Sequence, residues 1–556
     1  MKKRSRACEA CQALKVKCEP SPEESSICER CSRYSLTCVP AARKWQRDRI
    51  AELEEQVRNL QDKLDGATNS TLGLSTYAAS STRATSVFSD GAWPQTSAGP
   101  SELSFLDSRL DYDTQLRCLE VCSTRAGQFW YLIPPVDTTS ARSWLDSLRT
   151  GAPVKLISML AFTTSPSSAE IDPQTQEDLR IKTFEILGQA AVGLKRPSLD
   201  LIQAALITGL WIRPSLDCNH GNPNQLVSLA HDLSVELGLG GAEMQTSAPA
   251  WFFRIQGPLT LEMQKIWLAG WMTSTMKAVG LRRAHDFDWG TAHYEALRAL
   301  EADGSDPLFL EMLYTIRLHA KVASSLELCN TRTFLDVNSD VVAATRNQVY
   351  NDLNELSNRP LAGDVQLRFW RMLVAIHVNE PVLHTTTNKT LFTSPYISER
   401  IGVHDFARGP ITPTSATALH SIVEACHLAI SIVLEMDAST VLSLPSLCFG
   451  PAVSYTLSIL IKVFVAVSAP GNTYSQILTR ETLHVREAMQ KLISVKEELL
   501  KLDPHMGNWN TRIIGSVEWL GVWLDDYESI IERYEENLQR EVAEQEIEGL
   551  SPNGHF

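Results

Sequence analysis

The chain has 556 residues, of which 44% are hydrophobic and 21% are charged. This apolar content suits one very large or two to three ordinary globular units, and it excludes a peptide or an isolated tail. The net charge of -14 argues against non-specific nucleic-acid binding by the whole surface. The charge is uneven, because residues 1–49 carry 12 basic and 6 acidic side chains, whereas residues 525–548 carry 10 acidic and 2 basic ones. We therefore expect the two ends to contact different partners.

The sequence indicates neither secretion nor a membrane location. Residues 2–6 include four basic side chains and no apolar run follows them, so we expect no secretory signal and a reducing environment. The most apolar window, residues 451–470, is interrupted by Lys462 and by three serines. Its length and spacing suit a buried helix of a large domain at least as well as a membrane span. We therefore expect no membrane partner.

Composition divides the chain into five regions. Residues 1–40 hold half of the 12 cysteines, and residues 41–65 are first basic and then amphipathic. Residues 66–102 are rich in Ser, Thr, Ala and Gly, which is typical of a flexible linker. Residues 103–524 follow a helical pattern nearly throughout, and residues 525–556 form an acidic extension. The predicted fold is a small N-terminal domain, a short coiled coil and a large all-α domain.

The first region contains the pattern Cys-x2-Cys-x6-Cys twice. In each copy two residues separate the first two cysteines, and six residues separate the second cysteine from the third. The six cysteines are Cys8, Cys11, Cys18, Cys28, Cys31 and Cys38. A Cys-x2-Cys turn presents two sulfurs to one metal, and six further residues bring back a third sulfur. Two tetrahedral zinc ions need about eight ligand positions, whereas this segment offers six thiolates and no histidine before His220. Two thiolates must then bridge both ions, and no position stays open for a catalytic water.

A segment as short as Cys8 to Cys38 cannot bury a core that is stable by itself. We expect metal binding to supply its folding free energy, on the order of 10 kcal/mol or more per zinc, and to organise two short helices and loops. Two alternatives stay open. A disulfide framework also uses clustered cysteines but fits secreted proteins. A cross-brace or ribbon module normally uses about eight ligands, often with histidine.

An amphipathic segment follows the cysteines. Its apolar residues recur at spacings of three, four, three and four, and they are Ile50, Leu53, Val57, Leu60 and Leu64. This pattern predicts the a/d seam of a short coiled coil, through which the chain forms a homodimer. The alternative is a single amphipathic helix that packs on the large domain, because helices of this length are marginal alone in water.

Local signals mark helix ends in the large region. Ser198 after Pro197 predicts the start of a helix over residues 199–212. Asn224 predicts the cap of a second helix, and Gly238 predicts its end. No alternating strands and no repeat of fixed period are evident.

The sequence contains no convincing catalytic motif, so we expect a protein that is not an enzyme. Gly238, Gly240 and Gly241 lack the third glycine of a phosphate-binding loop at the required offset. His377, Glu380 and His384 miss the zinc-protease spacing, which favours ordinary core or surface histidines.

The cysteine pattern resembles the six-cysteine binuclear zinc cluster of fungal transcription regulators. The resemblance implies that Cys8 and Cys28 bridge the two zinc ions. It also implies that a helix enters the DNA major groove, where Lys15 contacts the bases of a CGG-like triplet and Lys17 contacts the backbone. A lysine suits the O6 and N7 acceptors of guanine. Gln12 and Leu14 depart from the family, in which basic residues are usual.

Five further basic residues near the cluster are expected to contact phosphates. They are Arg30, Arg33, Arg43, Lys44 and Arg47.

Residues 198–287 resemble, more diffusely, the middle homology region of the same regulators. The similarity rests on L-S-V-E-L-G-L at residues 233–239 and on E-M-Q-K-I-W-L-A-G-W at residues 262–271. Ser274 stands where the family commonly has Asp. The resemblance implies a regulatory domain, and we interpret Trp267 and Trp271 as plain core residues.

These expectations describe a nuclear, sequence-specific regulator of RNA polymerase II promoters that binds double-stranded DNA as a homodimer on CGG-like half-sites. The acidic C-terminal segment is a candidate contact for the transcription machinery, and its alternative interpretation is a solvated terminal helix. The rival function is a zinc-containing interaction or co-regulator scaffold without DNA sequence specificity.

Overall fold

The protein is described by a computed structural model. The described residues are 18, 28, 31, 33, 101–125, 132–133, 140–163, 171–214 and 221–549, with short gaps at 243, 249, 256, 286–287, 305, 395–400, 402–404, 407–409 and 470. The chain divides into two compact units, Met1–Gln95 and Thr96–Phe556. The division falls inside the linker that composition predicts.

The described part of the second unit is all-helical and contains no β-strand, which confirms the predicted all-α class for this region. Its α-helices are α1 (Glu102–Arg109), α2 (Tyr112–Arg125), α3 (Ala141–Gly151), α4 (Pro153–Phe162), α5 (Pro173–Ala191), α6 (Leu199–Leu210), α7 (Pro223–Leu237), α8 (Leu261–Leu281), α9 (Thr291–Asp303), α10 (Pro307–Ser325), α11 (Asp340–Ser357), α12 (Val365–Asn379), α13 (Pro413–Glu435), α14 (Ala438–Ser443), α15 (Phe449–Ser468), α16 (Val485–Leu502), α17 (Trp509–Gly515) and α18 (Val517–Gly549). Short 3-10 helices include Ala250–Phe253, Glu380–Leu383 and Lys389–Phe392.

The helices pack around one continuous apolar core. Helix α6 is buried at every position from Leu201 to Leu210, and it contacts α4 and α7. Helix α15 is buried almost throughout and contacts α13 and α17. Helices that are apolar on all sides are typical of the interior of a large domain, so α6 and α15 organise the layers around them.

The helix ends follow local signals, with two corrections. Ser198 caps α6 as predicted, since its Oγ accepts a hydrogen bond from the backbone N–H of Leu201 at 3.2 Å, but the helix ends at Leu210 rather than at residue 212. Helix α7 begins at Pro223, so its cap is Asn222, whose Oδ1 accepts from the N–H of Asn224 at 3.0 Å. The prediction of Asn224 as the cap is wrong, because the proline takes the first helical position.

Gly238 ends α7 as predicted. Its φ of 93° lies in the left-handed region, and its N–H donates to the carbonyl of Val235. A residue with a side chain pays a steric cost in this conformation, which glycine avoids.

Among the helices that the structure describes, α13 and α15 are long and apolar enough to cross a membrane by length and composition. The most apolar windows of these helices are 50% and 83% buried inside the packed helices. Helix α15 covers most of the apolar window that the sequence singles out, and Lys462 within it is 1% exposed. A core helix passes the same length test as a membrane span, so the feature agrees with the predicted buried helix.

The acidic C-terminal segment continues a helix of the domain. Helix α18 begins at Val517 and therefore runs across the boundary between residues 524 and 525 that composition suggests. Leu524, Tyr527 and Ile531 are buried on one face of the helix. Arg486 pairs with Asp525 at 2.7 Å, which attaches the acidic face to α16.

Candidate functional site

Cys28 and Cys31 lie together in the interior of the N-terminal unit. Their exposed fractions are 0% and 1%, and the backbone N–H of Cys31 donates to the Sγ of Cys28 at 3.4 Å. Cys31 and Arg33 both have a helical backbone conformation. A hydrogen bond to sulfur stabilises the thiolate, which is the form that binds metal. The pair therefore fits one half of a zinc site.

The structure describes only part of the predicted site. Cys18 is half-buried, and Arg33, which is predicted to contact phosphate, is exposed. The other predicted ligands, DNA contacts and dimer residues lie outside the described residues: Cys8, Cys11, Cys38, Lys15, Lys17, Arg30, Arg43, Lys44, Arg47, Ile50, Leu53, Val57, Leu60 and Leu64. Over the described ranges no three His, Cys, Asp or Glu side chains form a group that could hold a metal.

A buried ionic cluster lies in the interior of the helical domain. Arg282 pairs with Glu380, and both side chains are 1% exposed. Tyr455 donates its hydroxyl to the same carboxylate, and the Nε2 of His384 lies 2.9 Å from the other oxygen of Glu380. Burial alone would raise the pKa of Glu380, but Arg282 and His384 hold it well below its usual range. Glu380 is therefore ionised and saturated with hydrogen-bond donors.

Two further histidines extend this cluster. The Nδ1 of His377 lies 3.3 Å from the Nε2 of His319, and the ring of His377 lies 4.8 Å from that of Tyr455. Burial lowers the pKa of His319 to about 4, and burial together with the charge of Arg282 lowers the pKa of His377 well below its ordinary value. Both imidazoles are therefore neutral near pH 7.

The cluster has the composition of an active site but the packing of a core. The adjacent cavity, lined by His319, Trp370 and Tyr455 among others, has a volume of about 30 Å³. Such a volume admits about one or two water molecules. The arrangement therefore fixes α8 against α12 and α15 and leaves no room for a substrate. The core interpretation of His377 and His384 agrees with their burial at 5% and 3%.

A much larger open cavity, of about 810 Å³, lies where the segments around α8, α9 and α10 meet. Its wall includes Trp271 from α8, Trp289 before α9, Tyr294 from α9 and Arg317 from α10. The guanidinium of Arg317 lies over the ring of Trp289 at 4.4 Å and over that of Tyr294 at 5.5 Å. This is the contact geometry of a cation with aromatic faces.

The sequence gives little warning of this cavity. Trp267 and Trp271 are buried, at 1% and 3% exposure, so the prediction that they are core residues is confirmed. Trp271 also lines the cavity, however. The composition of residues 284–294, which include His285, Asp288, Trp289, His293 and Tyr294, is the only local signal that could have marked the site.

Comparison with known proteins leaves the function to be argued from these residues. No family model matches the chain, and no curated protein and no solved structure matches it either. The cysteine pair and the open cavity are therefore the two features on which functional arguments rest.

Proposed function

We propose that this protein is a sequence-specific DNA-binding transcription regulator of RNA polymerase II promoters, in which six N-terminal cysteines bind two structural zinc ions. The observation that carries the proposal is the repeated Cys-x2-Cys-x6-Cys pattern of residues 8–38, within a segment of net positive charge. Six thiolates can complete two tetrahedra only if two of them are shared. The resulting small, basic domain has the character of a DNA-binding module.

The geometry of Cys28 and Cys31 supports the zinc part of the proposal. Their burial and the N–H···S hydrogen bond from Cys31 to Cys28 suit thiolates that share a metal. Zinc bound there supplies structure and no catalysis, because every ligand position is filled by sulfur.

DNA recognition rests on the basic residues around the cluster. We assign base contacts to Lys15 and backbone contacts to Lys17, Arg30 and Arg33. We assign further phosphate contacts to Arg43, Lys44 and Arg47. One triplet gives too few base contacts for useful specificity, so the proposal includes a homodimer formed through the 50–64 seam.

The large helical domain and the acidic helix α18 complete the proposed regulator. Several apolar side chains of α18 are exposed, namely Trp519, Val522, Ile530, Tyr534 and Leu538. Exposed aromatic and aliphatic groups within an acidic helix are suited to contact another protein. We propose that this surface contacts the transcription machinery in the nucleus.

The experiment is a selection of bound sites from random double-stranded DNA with the purified full chain, with and without a zinc chelator. Native mass spectrometry counts the bound metal in the same preparation. We expect two zinc ions per chain, enrichment of paired CGG-like triplets, and loss of both on chelation.

Matched cysteine variants distinguish the loss of a zinc ligand from a general effect of replacing a cysteine. Cys31→Ser should abolish DNA enrichment and lower the zinc content, since it removes a buried ligand. Cys329→Ser alters a half-buried cysteine of the helical domain and should leave both unchanged. Two bound zinc ions without any triplet enrichment would instead support the scaffold function, and oxidised cysteine pairs would overturn the zinc site itself.

A further inference from the structure

The open cavity beside α8, α9 and α10 has two tryptophan residues in its wall. The indole N–H groups of Trp271 and Trp289 are buried and have no hydrogen-bond acceptor among the described residues. An indole N–H is only a donor and usually finds an acceptor when it is buried. Trp271 is 3% exposed, so both N–H groups lie beneath the accessible surface. A ligand in the open cavity therefore meets the rings of these residues rather than their N–H groups.

Arg317 adds a positive charge to the same wall. It stacks on Trp289 and Tyr294, and the described part of the chain places no carboxylate within ion-pair distance of it. Lys321, the other cation of the cavity, is already paired with Asp352 at 2.9 Å. A stacked guanidinium keeps its in-plane N–H groups available for a two-point contact with a carboxylate.

The remaining lining limits what can bind. Ala320 and Ala323 are small and apolar, and they leave space for a flat apolar body. Asp288 and Glu327 also line the cavity, and their carboxylates repel a second negative charge. The lining thus favours one negative charge on an apolar ligand.

We propose that this cavity is a binding site for a small organic monocarboxylate with a flat, apolar body. The carboxylate contacts the guanidinium of Arg317, and the apolar body lies along Ala320 and Ala323. The site is independent of the DNA-binding function proposed above, because its evidence lies entirely within the helical domain.

Benzoate, benzamide and phthalate are suitable probes, since they share a ring and differ in charge. Ligand-observed NMR titration of the full chain should detect benzoate, whereas neutral benzamide and doubly charged phthalate should bind at least about tenfold more weakly. Arg317→Met should weaken benzoate binding by about tenfold or more. Arg346→Met is the matched control, because Arg346 also stacks on an aromatic ring, that of Tyr350 at 5.9 Å, but does not line the cavity.

A second variant keeps the test independent of charge. Ala320→Leu adds bulk where the apolar body of the ligand is proposed to lie, without removing a polar group, and it should weaken benzoate binding while the thermal unfolding curve stays cooperative. The proposal is overturned if benzoate does not bind the native protein, if benzamide binds as well as benzoate, or if both cavity variants bind benzoate like the native chain.

Discussion

Arg282 and Glu380, which lie 98 positions apart in the sequence, form an ion pair with both side chains almost completely buried. Arg282 also occupies the C-terminal cap of α8 in a left-handed conformation, with a φ of 53°. The hydroxyl of Tyr455 completes the contact with the same carboxylate. One arginine therefore ends a helix and joins three distant segments of the domain.

Removing the arginine of this pair should strongly destabilise the domain. Arg282→Met leaves the carboxylate of Glu380 buried without its main counter-charge, which costs about 3 to 5 kcal/mol. The measurement is the free energy of unfolding in urea. Arg368→Met is the control, because it breaks the exposed Arg368–Glu435 pair, whose side chains are 38% and 48% exposed. We expect the control to lose about 1 kcal/mol or less of its free energy of unfolding. Equal losses in the two variants would contradict the argument.

The helical domain should lose stability as the pH falls below about 6.5, the ordinary pKa of histidine. Burial lowers the pKa of His319 to about 4, so between these values the unfolded chain binds a proton that the folded chain does not. The contribution of His319 to the free energy of unfolding is therefore complete above pH 6.5. It decreases by up to about 3 kcal/mol as the pH falls towards 4.

A pH series of urea unfolding curves tests this dependence. His319→Gln should flatten the stability profile in this window, whereas His420→Gln, at an exposed position, should leave it unchanged. If the stability of the His319 variant depended on pH in the same way as that of the native chain, His319 would not be the cause of the acid destabilisation.

Lys462 should make stability rise with pH on the alkaline side. Burial lowers the pKa of Lys462 to about 7, although the charge of Glu380 opposes the shift. Between pH 7 and the ordinary lysine pKa of about 10.4, Lys462 is protonated in the unfolded chain but not in the folded chain. The free energy of unfolding therefore increases with pH, by up to about 1.4 kcal/mol per pH unit.

Replacement of Lys462 by methionine separates this effect from that of other groups. Lys462→Met should lose the alkaline rise and should be at least as stable as the native chain at pH 7, because it removes the cost of burying a charge. Lys501→Met, at a side chain that is 65% exposed, should retain the rise. Thermal unfolding of the native chain and both variants at pH 7, 8 and 9 measures the rise, and a rise retained by Lys462→Met would contradict the prediction.

Two glycines of the domain should respond to alanine in opposite directions. Gly238 has a φ of 93°, and an added Cβ would lie 2.6 Å from the Cγ of Arg254. Gly238→Ala should therefore cost about 1 to 2 kcal/mol. Gly270 lies inside α8, and apart from the backbone of its own helix no atom lies within 4 Å of such a Cβ, so Gly270→Ala should stabilise the domain by up to about 1 kcal/mol. Differential scanning calorimetry of both variants should show a lower unfolding temperature for Gly238→Ala and a higher one for Gly270→Ala.

Base and phosphate contacts in the proposed DNA complex should be separable by mutation. Lys15→Ala should relax the base preference, because it removes a donor to guanine. Arg47→Ala should weaken binding to all sequences alike and reduce the salt slope by about one unit. Salt-dependent titrations of preferred and scrambled DNA measure both effects, and an equal loss of preference in the two variants would refute this division of roles.

Sequence reasoning succeeded where the causes are local. The caps at Ser198 and Gly238 depend on residues within a few positions, and the all-α class follows from the spacing of apolar side chains. The misplaced cap at Asn224 reflects a local competition, since Pro223 takes the first helical position and the cap is therefore Asn222, two positions earlier.

The two sites of the helical domain depend on distant residues, which no spacing reveals. Arg282 contacts Tyr455 across 173 positions, and Trp271 and Arg317 line one cavity only because α8 and α10 pack together. The proposed zinc site is the opposite case, since the six cysteines lie close in sequence and their spacing alone predicts the site.

The distance between Arg282 and its partners also sets an order of events during biosynthesis. At a translation rate of about 5 to 20 residues per second, Tyr455 is added roughly 9 to 35 s after Arg282. Until Glu380 is added, 98 residues after Arg282, the nascent chain carries a guanidinium whose counter-charge has not yet been synthesised. The first half of the domain therefore cannot reach its final packing until α15, which contains Tyr455, has been synthesised.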